Sequence, residues 1–321
     1  MHEVVELVFL FLVFPGVVFT TLLGLFLCWV VRRVSAAVQW RRGPPVSQPF
    51  WDVIKLLGKE VIMPAEGWQK GFLTLPFVAF AAASLAALIV WLPALGWASL
   101  GLGDLIVALY LLTIPTLAII LGGASSGNPL GAVGASRDMK LLLAYELPFA
   151  AALLVAAFQQ RTIDGETVQA STLSIAGLME FQAQAGSVIL RPSGLLAFLV
   201  AILCAQAKVG FVPFDLAEAE TEIGEGALIE YSGAALGLCK LTHAVLLVAL
   251  PVLLVTVFWG GMAATGWGIA AFAGKVLLVL VLMILIKNTN PRVRIDQAMR
   301  FFWGPTAVVA LLALVLAQVG W

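Results

Sequence analysis

Eight apolar runs divide this chain, at approximately 5–31, 72–95, 104–123, 141–159, 193–214, 233–259, 268–287 and 303–320. About 20 apolar residues are what an α-helix needs to cross a hydrocarbon core roughly 30 Å thick. With 62% hydrophobic and 11% charged residues, a soluble domain would have too little polar surface to meet water. The pattern predicts an all-α integral membrane protein, one membrane domain over residues 1–321, with about eight transmembrane helices. The third run is interrupted by Thr113 and Pro115. The opening MHEVVELV carries acids rather than a basic leader and no small-residue cleavage site follows, so the first run is expected to be retained.

Positive charge sets the orientation. Thirteen Lys and Arg residues lie in the connections after runs one, three and seven, whereas Arg161 and Arg191 alone lie on the other side. This predicts both termini outside and cytoplasmic segments at 32–71, 122–140, 211–233 and 287–302. Within the first of these, Phe50, Trp51, Ile54, Leu57 and Val61 recur at helical spacing among Asp52, Lys55, Lys59 and Glu60. That is the pattern of an amphipathic helix on the membrane surface, either a lipid anchor or a docking element for a partner. The Arg41-Arg42-Gly43-Pro44-Pro45 turn before it would hold cations at the interface, where snorkelling alone also accounts for them. The segment 122–140 reads as a Gly- and Ser-rich loop, and 159–192 as a weakly amphipathic outer segment, at its plainest a short re-entrant or surface helix.

Lipid packing does not explain FVPFDLAEAETEIGEGALIEYSG, residues 211–233. It gathers Asp215, Glu218, Glu220, Glu222, Glu225 and Glu230, six of the chain's eighteen acids, with no Lys or Arg among them. Nearby runs also carry ionisable groups. Glu146 lies about six residues inside the fourth run, Lys208 about six from the end of the fifth, Lys240 about seven into the sixth, and His243 one turn deeper. These depths place all four in one layer about 9 to 15 Å below the cytoplasmic surface. Each alone is explained by snorkelling or by mutual neutralisation; together, under an acidic segment, they form a candidate proton or ion path. Lys275 reads as an interfacial anchor.

Other chemistries find little support. Cys28, Cys204 and Cys239 are far apart in apolar runs, and His2 and His243 are too few to complete a metal site with them, so the chain is expected to bind no metal or cofactor of its own. A formal net charge of zero gives no nucleic-acid footprint. No internal repeat backs an inverted-repeat transporter with Glu146 at its substrate site.

Four ordered stretches carry a resemblance: RRGPPVSQPFWDVIKLLGKE, GASRDMKLLLAYELP, PFDLAEAETEIGEGALIEYSG and NPRVRIDQ. They resemble the eight-helix membrane subunit shared by respiratory complex I and the energy-converting membrane-bound hydrogenases, including formate hydrogenlyase. The resemblance implies a non-catalytic subunit of a prokaryotic inner-membrane complex. Its partners would be a soluble arm bearing iron–sulfur clusters, with nickel–iron in hydrogenases, and antiporter-like membrane subunits. Quinone is a candidate ligand in the complex I branch. The resemblance also implies that the acidic segment, together with Arg41 and Arg42, borders the arm junction or a quinone-like cavity, and that Glu146 belongs to a proton path. Three departures stand out. The complex I type reads A-E-x-N-R-x-P-F-D where this chain has A-K-V-G-F-V-P-F-D, which puts Lys208 for a glutamate and Phe211 for an arginine. His243 likewise replaces a helix-six glutamate, and the loop after helix one lacks the G-P-x-G-L-L insertion. That shorter loop looks like the hydrogenase branch.

Overall fold

The structure, a computed structural model, describes residues 8–65, 67–97, 104–163, 166–169, 173–263 and 265–320; the side chains of 161–163, 166–169, 220 and 221 lie outside that description, as do residues 1–7. The chain is an all-helical membrane protein with one small hairpin. Its apolar helices are α1 Val17–Val38, α3 Gln69–Ala94, α4 Leu105–Ser125, α5 Pro129–Ala157, α7 Pro192–Lys208, α8 Gly233–Trp259, α9 Gly266–Thr289 and α10 Ile295–Val319. Between them lie α2 Gln48–Leu57 and α6 Ile175–Ala185. Among the described helices, seven are long and apolar enough to cross a bilayer. The eighth, α7, has 17 residues.

Hydropathy locates the helices well, but not their ends. Helix α7 stops at Lys208 instead of running to 214, because Gly210 takes φ +72°. Its N–H donates to Ala207 O at 3.0 Å, and the Phe211 N–H donates to Gln206 O at 3.0 Å, a pairing that closes a helix C-terminus. The expected loop 122–140 is helical from Pro129, because Asn128 caps that end by accepting the Leu130 N–H at 2.9 Å and Pro129 fits the first helical position. Helix α10 begins at Ile295 rather than 303, since Gln297 folds back to accept the Arg294 N–H at 3.1 Å; Pro305 is accommodated by a π-turn over Phe302–Thr306. Helix α4 passes through Pro115 unbroken.

Helix α8 runs through the centre of the bundle and is the most enclosed of the seven spans. The outer segment explains how its far end survives in an apolar setting, where the last carbonyls of a helix lack partners. Gln182 of α6 donates to Thr256 O and Val257 O, both at 3.0 Å. Lys275 donates to Trp259 O at 2.9 Å and lies 5.7 Å from that indole's centre. The described residues of 159–192 thus include α6 and a hairpin, Gln160–Ile163 paired antiparallel to Glu166–Gln169, and Lys275 caps the end of α8.

A charged chamber and its outward ion pair

At the opposite end of α8, where the basic connections and the acidic segment meet, the helices do not close up. A cavity of about 320 Å³ opens between α1, α2, α4, α5, α7, α8, α9 and residues 209–218. One part of its wall is apolar, with Leu25, Val53, Leu246, Phe211 and Phe214. The rest carries Arg32, Asp52, Asp138, Lys208, Asp215, Glu218, Lys240, His243 and Lys287. Nine ionisable groups around one cavity inside a membrane bundle is a costly arrangement that calls for pairing or function.

Several are paired. Arg32 of α1 donates to Asp52 of α2 at 2.7 Å, and Gln48 donates to the other oxygen of Asp52 at 2.9 Å. Burial opposes ionisation there, but these donors hold the Asp52 carboxyl below the usual carboxylate range. This is why α2 lies where it does: Val53 and Pro49 face the bundle while Trp51, Ile54 and Leu57 remain exposed. Arg292 donates to Asp215 at 2.9 Å. Lys287 lies 4.4 Å from the centre of the Phe211 ring, and His243 faces that ring at 5.7 Å. Asp138, Glu218 and Lys240 have no salt bridge among the described residues. Burial above all, then the neighbouring carboxylates Asp138, Asp215 and Glu225, pushes Glu218 up to about 8.

Lys208 has two sides. Its backbone lines the chamber, while its ammonium, fully buried, donates to Glu146 Oε2 of α5 at 3.0 Å and to Thr113 Oγ1 of α4 at 3.2 Å. The Tyr145 and Phe149 rings lie 5.4 and 5.5 Å from it. Thr113 in turn donates to Glu146 Oε1 at 2.6 Å. Glu146 does not line the chamber; its side chain is 23% exposed, on the face of α5 that also exposes Leu143 and Leu147.

Of the four residues expected to share a layer, the structure brings two into contact. Glu146 and Lys208 touch, although Lys208 ends its helix and Glu146 lies far along α5, so depths counted from the ends of the apolar runs misplace both. Lys240 and His243 border the same chamber without touching that pair. Of the acidic segment, Asp215 and Glu218 line the chamber. Glu222 pairs with Arg137 at 2.8 Å, Glu230 accepts from Asn128 at 2.6 Å, and Glu225 is exposed, all three outside the lining; the Glu220 side chain is outside the described residues. Arg41 and Arg42 are exposed and away from the cavity. Arg32, a few residues earlier on α1, is the arginine that lines the cavity; the turn after α1 folds back on that helix, with Trp29 donating to Pro44 O at 3.1 Å and Arg33 to Gly43 O at 3.4 Å. Sequence reading also passes over Asp138, which shares a helix face with Leu141 and Tyr145.

The NADH dehydrogenase family profile matches residues 10–318. The H subunit of the NADH-quinone oxidoreductase of Dehalococcoides mccartyi (strain CBDB1) is 32% identical over 97% of this chain and 85% of its own length. Its counterpart in Thermomicrobium roseum is 33% identical, covering 92% and 91%. Among solved structures, a chain of the membrane-bound sulfane sulfur reductase, an archaeal respiratory membrane complex, matches with TM-score 0.82 and 29% identity over 94% of this chain and 96% of that one.

Proposed function

The chain belongs to the NADH dehydrogenase family, as a complex I-like membrane subunit of a prokaryotic inner membrane, and from that premise we propose that it couples redox turnover in a soluble iron–sulfur arm to ion movement across the bilayer, in an energy-converting hydrogenase or a near relative. The observation that carries this reading is the Lys208–Glu146 pair, which joins a charged chamber to the outer face of the bundle. The acidic segment would form the cytoplasmic roof on which the arm docks. A change of charge there shifts the protonation balance of Asp138, Glu218, Lys240 and His243 more strongly than it would in water, because the surroundings polarise little. The chain supplies no electron carrier in this scheme; iron–sulfur clusters, and nickel–iron in the hydrogenase case, would belong to partners, beside antiporter-like membrane subunits.

Gently solubilised membranes should yield this chain together with iron–sulfur and nickel–iron subunits. In sealed vesicles Glu146→Gln should leave that assembly intact and abolish or slow gradient formation. Recovery of the chain alone, active in transport, would refute the reading.

The curated relatives named as NADH-quinone oxidoreductase subunits support a second reading, a quinone-channel subunit. The chamber suits a quinone ring in size, with His243 and Lys240 as donors and Phe211 as a wall. Reduction of added quinone by the intact complex, blocked by a headgroup inhibitor, would favour it.

A further inference from the structure

The reading above needs Glu146 to exchange charge with the chamber, and Glu146 does not reach it. Lys208 does. Its backbone lines the cavity, while its side chain, shut off from water, is bonded to Glu146, so the one residue that touches both the chamber and Glu146 carries a single primary amine.

Such a pair has two states of equal net charge. With the proton on nitrogen it is an ion pair; with the proton on oxygen it is a neutral amine beside a neutral acid. In water the first wins easily. In an apolar site both ions lose hydration, and moving one proton across a single hydrogen bond removes both penalties at once. The immediate surroundings carry little that would hold the ion pair in place. Glu146 faces Lys208 from α5, Thr113 from α4 and Cys204 from its own helix, with the Tyr145 and Phe149 rings completing the shell. Thr113 adds a second hydroxyl-mediated route. Its oxygen accepts from Lys208, and its one proton has two acceptors in reach, Glu146 Oε1 at 2.6 Å and Leu109 O at 2.9 Å.

We infer that Lys208 is a proton carrier between the chamber and Glu146, not a fixed counter-charge. An Nζ–H bond breaks as an O–H bond forms on Glu146 Oε2, leaving a neutral amine. The neutral amine, released from its ion pair, turns toward the chamber that its own backbone lines, and there its lone pair takes a proton from water or from a lining carboxyl group, which is left with one proton fewer. The Glu146 O–H bond then breaks as water, or a basic group of a neighbouring membrane subunit, takes the proton at the exposed face of α5, which restores the carboxylate. No electrons change hands, and the coupling ion at this step is H⁺.

The inference rests on the proposed coupling function and is separable from it. An arginine keeps the charge and the hydrogen bonds to Glu146 but does not give up its proton. In sealed vesicles holding the whole complex, Lys208→Arg and Lys208→Met should both lower proton translocation about a hundredfold, in the range general acid–base groups contribute. Wild-type translocation in Lys208→Arg would overturn the inference and leave the coupling function standing, provided that Glu146→Gln is inactive. An active Glu146→Gln would overturn both. If arginine blocks assembly, Lys208→Cys in a chain with Cys28, Cys204 and Cys239 replaced by Ala allows the same comparison in the assembled complex. An aminoethyl thiol reagent restores a removable proton, whereas its trimethylammonioethyl counterpart restores only charge. Recovery with the first alone is expected; equal recovery, or none with either, would overturn the inference.

Discussion

Glu218 shows how far one residue's chemistry depends on what encloses it. It lines the chamber among Asp138, Asp215 and Glu225, open to the cavity but surrounded by protein, and has no salt bridge among the described residues. Burial, followed by those carboxylates, pushes it from 4.5 up to about 8, so at neutral pH it holds its proton. The sign follows from linkage. Between about pH 4.5 and 8 the folded chain keeps a proton that the unfolded chain has released, so stability falls as pH climbs through that window. Glu218→Gln should flatten this decline in the thermal midpoint of the detergent-purified complex, with the largest gain over wild type near the alkaline end. Parallel profiles for the two proteins would show that Glu218 ionises normally. Asp52 behaves in the opposite sense: its lowered carboxyl contributes stability at neutral pH that is lost on acidification, and Arg32→Ala should remove part of it.

Elements are legible in this chain because side-chain hydropathy alone marks where a membrane helix must be. Their ends are not, because backbone geometry and local hydrogen bonds set them: Gly210 in a left-handed conformation stops α7, and Asn128 starts α5 inside a stretch whose glycines and serines suggest a loop. Glu146 and Lys208 are legible for the same reason as the helices, since a charge inside an apolar run stands out. Arg32, Asp52, Asp138 and Lys287 are hidden among the charges expected at any interface. The outer segment 159–192 offers no signal, for its role rests on one neutral amide. Gln182 serves two carbonyls at the end of α8. Gln182→Leu should leave them unpartnered and destabilise the protein by about 1 to 3 kcal/mol, typical of a buried polar group that loses its partner. Thermal unfolding in detergent measures this, and protons moved per electron should stay at the wild-type value. An unchanged midpoint would mean that other donors suffice.

At the scale of the whole molecule, the question is what holds the acidic roof over the chamber. Three of its acids are tied down by side chains, Asp215 by Arg292, Glu222 by Arg137 and Glu230 by Asn128, and Tyr231 and Ser232 add hydrogen bonds to Phe72 O and the Ile62 N–H. Arg137 and Glu222 are solvent-accessible, and such a pair is worth about 0 to 1 kcal/mol. Packing is less forgiving. Gly123 and Gly134, on α4 and α5, lie directly under the turn at Gly226 and Ala227; a Cβ on Gly123 would come 2.9 Å from Ala227 Cα, and one on Gly134 would come 2.5 Å from Ala227 N. Those neighbours are backbone, held by the left-handed turn at Gly224, Glu225 and Gly226, so the whole segment must lift. Arg137→Ala should therefore leave the proposed arm subunits bound through purification, whereas Gly134→Ala should release much of the arm while the membrane chain itself remains inserted. Co-purification yield against the amount of inserted chain decides it. If the two variants retain the arm equally, glycine-mediated seating is not what positions the roof. If Arg137→Ala loses the arm and Gly134→Ala does not, surface electrostatics governs docking, and the roof is a charged patch rather than a packed lid.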